Sequence, residues 1–277
     1  MRLKKIPRNY PKPTPPDAEE REYFRFLNKY ASTYIKLMKG KLKKIVPDLK
    51  EVASEETPRV DSIRMDANIE KTIQELFEEV QSALDGIFPD STLRKWAKAM
   101  VGGVNKKAKK NTAKAAKSVG LDIEPMLTDK GLNPFFENMV DQNVGLIRSI
   151  PKEKLESFKN QLVAMITEDQ TSKTIWEAIE KNFDVSKSRA RLIARDQVGK
   201  INSQMDQYRQ QQLGAKRYIW RTVEDERVRE DHQKLDGKVF SWSKPPIENR
   251  KTGNRDHPGR PINCRCYAES YLDDILD

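Results

Sequence analysis

The side chains best suited to metal or acid–base chemistry are few, and they fall together. The 277-residue sequence holds two histidines and two cysteines. All four, His232, His257, Cys264 and Cys266, lie in the stretch from Trp220 to Cys266. Three kinds of chemistry fit them. As soft or borderline ligands they match the number a closed tetrahedral zinc site takes, so His232, His257, Cys264 and Cys266 are a candidate zinc set. Cys-x-Cys is a rarer spacing than Cys-x-x-Cys, and no second cysteine pair backs it. His232 also stands among Asp225, Arg227, Arg229, Glu230 and Asp231, a setting that suits a general base beside a phosphate. This makes a nuclease-like, nucleic-acid-processing enzyme using His232 with Arg227 and Arg229 an alternative. No nucleophile or phosphate-cradling glycine loop accompanies it, and Asp231 and His232, as chain neighbours, are expected to point apart. In the third reading Arg195, Asp225, Arg227, His232, Asp236 and Asn263 form a polar network. Such a network satisfies the buried backbone of a loop-rich domain, with the cysteines as small buried residues. The residues alone favour this third reading. It assigns no catalytic residue and needs no cofactor, with zinc as the exception to test.

Composition sets the frame for these residues. The apolar share is 36% and the charged share 34%, with 12 glycines. That balance fits long helices whose surfaces are wet or face a partner. The formal net charge is +10, which suggests a polyanionic neighbour such as nucleic acid but says nothing of fold. Two cysteines are too few for a disulfide framework, and their one-residue separation suits a mutual disulfide poorly. No apolar run is long enough to span a membrane. Prolines at 7, 11, 13, 15 and 16 replace the apolar core of a secretion signal.

The elements that must position the site divide the chain in three. Residues 1–16 form a basic, Pro-rich arm (Arg2, Lys4, Lys5, Arg8, Lys12) suited to lie along a partner subunit or nucleic acid. Residues 17–185 form a helical region. Its first helix runs from an Asp17 cap to about Lys44, with Pro47 ending it. Others span 61–84, a stretch from Asp90 that Gly102-Gly103 kinks or interrupts, one from Pro134, one near 155–166, and 173–182. Lys106, Lys107, Lys109, Lys110, Lys114 and Lys117 crowd the third of these with no acid among them. They form a solvated face, or a strip facing phosphates or an acidic partner. No aromatics interleave, so base stacking is not indicated.

Residues 186–277 form a small α+β domain with a short antiparallel sheet and long loops. A helix from about Ser186 to Leu213 feeds it and ends at Gly214. Along that helix Arg189, Arg191, Arg195 and Asp196 offer an Arg–Asp pair that would pin it to the end block. Arg217–Val223 alternates as a strand, Asp236-Gly237 is a hairpin turn, residues 249–257 are a loose loop, and the stretch from Pro261 to Ala268 returns as a strand. The fold class is therefore mainly α, with long N-terminal helices and a small α+β C-terminal domain.

The end block carries a family likeness. Trp220-Arg221-Thr222, the run from Asp225 to His232, Leu235-Asp236-Gly237-Lys238-Val239-Phe240, His257-Pro258-Gly259 and Pro261-Ile262-Asn263-Cys264-Arg265-Cys266 resemble the tailed-phage minor head protein, or head morphogenesis, family typified by phage Mu protein F. Upstream, Arg191-Leu192-Ile193-Ala194-Arg195-Asp196 looks like the family's helix entry, though relatives usually read Arg-Thr-Glu. The likeness covers about 80 residues, from roughly Arg189 to Ala268. Several members carry Cys-x-x-Cys where this chain has Arg229-x-x-His232, which weakens the zinc reading here. The resemblance implies a structural virion protein rather than a cellular enzyme. It would bind the portal protein and assist head morphogenesis and DNA packaging or ejection, at the portal vertex or capsid interior after assembly in the host cytoplasm. Its implied partners are the portal, the major capsid or scaffold protein and packaged DNA, with no membrane. A DNA-binding accessory protein is a further alternative. Some relatives continue into toxin or nuclease domains, and none is expected within these 277 residues.

Overall fold

The computed structural model describes residues 11–54, 59–118, 120–123, 127–129, 131–152, 155–168, 170, 172–271 and 274; side chains of 44–67, 156, 172, 176 and 183 are left aside. Residues 1–10, and with them Arg2, Lys4, Lys5 and Arg8, lie outside this range.

The chain is 66% helical, with small antiparallel sheets of three and two strands in its C-terminal region. The helices are α1 (Asp17–Ser54), α2 (Arg59–Ile87), α3 (Asp90–Ser118), α4 (Asn133–Ser149), α5 (Leu155–Thr167), α6 (Ser172–Gln212) and the single-turn α7 (Glu230–Gln233). The strands are β1 (Arg217–Arg221), β2 (Val239–Ser241), β3 (Ile247–Asn249), β4 (Asn254–Arg255) and β5 (Tyr267–Ser270).

Three helices run further than expected. α1 continues through Pro47 to Ser54 instead of ending near Lys44. α3 passes unbroken through Gly102-Gly103. The two helices expected at 173–182 and from 186 are one, α6. The joint at 183–185 holds neither Gly nor Pro, and the Ser186 hydroxyl donates to the Asn182 carbonyl 3.2 Å away, satisfying itself within the helix. The boundary expected between 185 and 186 thus falls inside a helix.

The chain divides into two compact units. One comprises residues 24–96 and 141–193; the other comprises 1–23, 97–140 and 194–277. In the first, Phe26 stacks on Trp96 with centroids 4.6 Å apart, and Tyr30 meets Phe88 edge-on at 5.2 Å. α2 packs against α5, where Phe77 and Phe158 meet edge-on at 6.1 Å. The predicted stripe of α1 supplies Leu27, Tyr30, Ala31, Tyr34, Met38 and Leu42, all buried.

The second unit carries the candidate site. Pro11–Pro16 has no regular secondary structure, and the Thr14 main chain exchanges two hydrogen bonds with the Asn111 amide of α3 (3.2 and 2.9 Å). This part of the arm lies along the chain's own α3. α6 ends as predicted at Gly214, whose φ is +88°. The Ala215 amide donates to Gln210 O and the Gly214 amide to Gln211 O, each at 3.0 Å. These bonds cap the last carbonyls and turn the chain into β1.

β1 is the middle strand of the sheet β2-β1-β5, antiparallel to both neighbours. Strand alternation puts Tyr218, Trp220 and Thr222 on one face and Ile219 and Arg221 on the other. Tyr218 and Trp220 are fully buried and form an apolar cluster with Trp242 and Cys266. On the opposite face the Arg221 guanidinium grips the Glu269 carboxylate through Nε (2.8 Å) and Nη2 (3.2 Å).

Two local expectations change. Leu235–Lys238 links α7 to β2 and is not a strand hairpin. Gly237, at φ +73°, still makes the turn, and its amide donates to Trp220 O at 2.8 Å. Within 249–257 the chain is not wholly loose, since β4 pairs back onto β3.

Candidate functional site

α6 is the platform for the end block. Ser203 Oγ donates to Pro258 O (2.6 Å) and Gln210 Nε2 to Ala268 O (2.9 Å). Asp196 accepts from the Asn263 amide at 3.3 Å and from Lys200 Nζ at 2.7 Å. Asp196 therefore ties the helix to the block through main chain, while the arginines engage other groups. Arg195 faces Glu20 at 3.7 Å, Arg191 lies over the Phe24 ring and Arg189 reaches Ser149 Oγ. Gly259 permits the close approach to α6. It has φ +84°, and a Cβ there would stand 2.9 Å from Ser203 Cβ and 3.1 Å from Cys266 O.

The block brings three of the four predicted ligands together. His232 Nδ1 is 3.5 Å from Cys264 Sγ and 3.5 Å from Cys266 Sγ. The three ligand atoms all lie within 4.8 Å of one another. His232 and Cys266 are buried and Cys264 is half-buried. The cysteines are not bonded to each other.

His257 is placed elsewhere and is not a member of this group. Its Nδ1 meets the Tyr218 hydroxyl at 2.9 Å, and its ring lies 5.0 Å from that of Trp242. Burial, with the Arg260 cation, pushes its pKa down to about 4. It is a neutral core histidine, oriented by a tyrosine.

Each member of the trio is held by named contacts. His232 sits on α7, with its ring edge-on to Trp220 at 5.2 Å. Its Nε2 donates to Glu248 Oε2 at 3.1 Å. Glu248 lies on β3, is buried, and has Arg229 Nη1 at 3.9 Å. The chain neighbour Asp231 points away, accepting from the Arg250 amide at 3.0 Å. The cysteine segment is gripped from both sides. Arg229 donates to Ile262 O, and Arg265 donates to Asp225 Oδ1 at 2.6 Å. Asn263 takes up φ +57°, and the Cys264 amide donates to Pro261 O at 2.9 Å. The Gly259 amide donates to Cys264 Sγ at 3.4 Å.

This geometry biases the sulfurs unequally. A hydrogen bond from Cys266 leads in holding the Cys264 thiol down at about 5, against its burial and with help from His232. The same bond and burial push Cys266 up. Burial disfavours the His232 imidazolium, yet Cys264 and Glu248 outweigh it and raise its pKa.

The remaining network residues act locally. Asp236 Oδ1 accepts from the Thr222 amide (2.7 Å) and hydroxyl (3.2 Å), closing the end of β1. Asp225 caps its own turn through the Arg227 amide at 3.1 Å. The exposed Arg227 side chain faces Asp225 at 3.8 Å. The trio of the enzymatic reading does not assemble through direct contacts: both His232 nitrogens are engaged, Arg227 faces Asp225, and Arg229 faces Glu248.

Sequence reasoning overlooked Glu248 and a second polar centre. Arg209 on α6 is fully buried, and its Nη2 donates to Asn105 and to Asp129, the latter at 2.7 Å. Asp206, one turn earlier, is buried, accepts from Asn202 at 3.0 Å, and is pushed by burial to a pKa of about 7. Within the Pro245–Arg250 stretch, an acid next to Ile247 was the one available hint for Glu248.

Of the lysine run, Lys106, Lys110, Lys114 and Lys117 are exposed and Lys107 and Lys109 half-buried. The exposed four follow steps of four, four and three residues and so share one face of α3. Among the described residues, no helix is long and apolar enough to cross a membrane.

Comparison with known proteins shows what part of the chain resembles. Over 131 residues the chain is 35% identical to an uncharacterized protein of Haemophilus influenzae; this covers 47% of the chain and 28% of that relative. The chain therefore spans under a third of that relative's length. No solved structure matches. Residues 156–269 match the model of the family described as "Phage Mu protein F like protein". That span contains all of α5 but Leu155, all of α6, the three-stranded sheet up to Glu269 and the His232–Cys264–Cys266 group. The likeness to the phage Mu protein F-like family thus extends over residues 156–269, less than half of the 277-residue chain.

Proposed function

We propose that the chain is a structural minor head protein of a tailed phage that binds the portal and assists head morphogenesis and the packaging or ejection of DNA. The observation that carries this reading is the family match over 156–269, which coincides with the block clamped onto α6. That block holds its loops through buried polar ties, as suits a rigid module for assembly. Its place would be the virion, at the portal vertex or capsid interior. Co-expression of the full chain with the portal protein of the same phage genome tests it. The expected result is a complex that survives size-exclusion chromatography, together with arrested or aberrant heads when the chain is absent. Normal head yield without the chain, and no portal association, would overturn the reading.

A second reading is favoured by one observation, the exposed lysine face of α3. Lys106, Lys110, Lys114 and Lys117 suit packaged DNA as the contacting polyanion. Replacing all four by Gln should weaken duplex binding without regard to sequence. The log–log salt slope should become shallower by about 0.9 for every lysine that met a phosphate. An unchanged slope would assign the face to solvent.

A further inference from the structure

The convergence of two sulfurs on one imidazole nitrogen calls for an explanation beyond packing. The Glu248 carboxylate is acceptor-only, so His232 Nε2 carries a proton and donates to it at 3.1 Å. In the neutral ring, Nδ1 then has a single lone pair. Two sulfurs stand 3.5 Å from that one atom. A lone pair accepts one S–H well, and a cation placed among the three atoms would satisfy all of them.

The spacing fits a particular cation. With Zn–S about 2.3 Å and Zn–N about 2.0–2.1 Å at tetrahedral angles, N···S is about 3.6 Å and S···S about 3.8 Å. The observed N···S separations of 3.5 and 3.5 Å match this value. The sulfur pair, bounded at 4.8 Å, needs at most about 1 Å of closure to reach the tetrahedral separation. Two soft sulfurs and an imidazole select zinc over the oxygen-seeking divalent cations.

The outer contacts fit as well. A metal-ligating histidine characteristically donates its other N–H to a carboxylate, which fixes the ring and raises its basicity. Glu248 occupies that position, and the residue is buried and faces Arg229 at 3.9 Å. Charge also closes. Zinc with two thiolates and a neutral imidazole is neutral, and the Glu248 charge is offset by the Arg229 cation.

We propose that His232 Nδ1, Cys264 Sγ and Cys266 Sγ bind one zinc ion, with Glu248 orienting the imidazole from its far side. Binding forms one Zn–N and two Zn–S bonds and releases to solvent the two protons that the His232–Cys264–Cys266 group holds without metal. Among the described residues the group has three members, so the fourth position takes a water or an exogenous ligand. It opens toward Cys264, the one member of the three that is not buried. This differs from the four-ligand set read from composition, because His257 is committed to Tyr218. The inference is independent of any assembly role, since it rests on geometry inside the block.

The test uses the full chain, purified under reducing conditions and dialysed with zinc. Elemental analysis should give one zinc per chain. Replacement by cobalt should give thiolate-to-metal charge-transfer absorption. Zinc should protect both thiols of the unsubstituted chain from alkylation, a measurement that needs no variant to fold. C264S and C266S should lose the metal and H257A should retain it. E248Q should bind zinc about 10- to 100-fold more weakly. Thiols that stay equally reactive with and without zinc would overturn the proposal, as would less than half a zinc per chain at saturation. Loss of zinc in H257A with wild-type circular dichroism would replace the three-ligand set by the four-ligand one.

Discussion

Asp206 offers the sharpest numerical test of how this chain handles buried charge. Its carboxyl lies on α6, is buried, and accepts one hydrogen bond, from Asn202 Nδ2 at 3.0 Å. Burial raises its pKa from 3.8 to about 7, against the opposing pull of Arg209. Because the folded pKa exceeds the unfolded one, the native state binds more protons between about pH 4 and pH 7. Stability from this group is therefore fully present below pH 4 and is lost as pH rises through 7. The rise from 3.8 to about 7 corresponds to about 4 kcal/mol. The perturbation is Asp206→Asn, whose amide carbonyl can still accept from Asn202. At pH 8 the variant should be more stable than the parent by an amount approaching about 4 kcal/mol. Near pH 4 the folded side chains are both neutral and the unfolded Asp206 is only partly ionised, so the difference should shrink to under about 1 kcal/mol. Urea unfolding of parent and variant at several pH values between 4 and 8 measures it. Other titrating groups, His232 among them, are common to both proteins and cancel in the difference. A parent–variant difference that stays flat across that range, or favours the parent at pH 8, would refute the assignment of Asp206 as a neutral buried carboxyl.

Two further outcomes follow from the block itself. Trp220→Ala removes a fully buried ring at the centre of the sheet's apolar face and should cost about 3–5 kcal/mol in urea unfolding. A cost under about 1 kcal/mol would mean that this face is not a packed core. Gly259→Ala meets both a left-handed φ of +84° and a Cβ position 2.9 Å from Ser203 Cβ. It should destabilise by at least about 1–3 kcal/mol, and Ser203→Gly in the same chain should recover the part due to contact. An alanine tolerated at 259 without loss would show that the 257–260 turn does not seat on α6 as described.

What the sequence made legible tracks how local each signal is. The apolar stripe of α1 at helical spacing identified Leu27, Tyr30, Met38 and Leu42 as core, because periodicity needs only the chain's own twist. Gly214 announced the end of α6, because a left-handed residue after a helix is nearly a glycine property. The joint at 183–185 misled, because a new helix reads as starting near Ser186, while nothing in Phe183-Asp184-Val185 forbids helix. Pro47 misled in the same direction, since a proline costs a helix one hydrogen bond without always ending it. The candidate site was half legible. Residue type alone nominated His232, Cys264 and Cys266, since a chain with four such side chains leaves little choice. Geometry was needed to separate His257 from them. Its partner Tyr218 lies 39 residues away, and the strand register that aligns β1 with β5 over 49 residues or so is invisible to any local pattern. Glu248 was hidden for the same reason: an acid in a turn-rich stretch is ordinary until a strand aims it at a histidine 16 residues upstream. The residue types named the chemistry, and the sheet decided which of them take part. Substitutions in β1 or β3 should therefore disturb the His232–Cys264–Cys266 group as surely as substitutions of the ligands themselves.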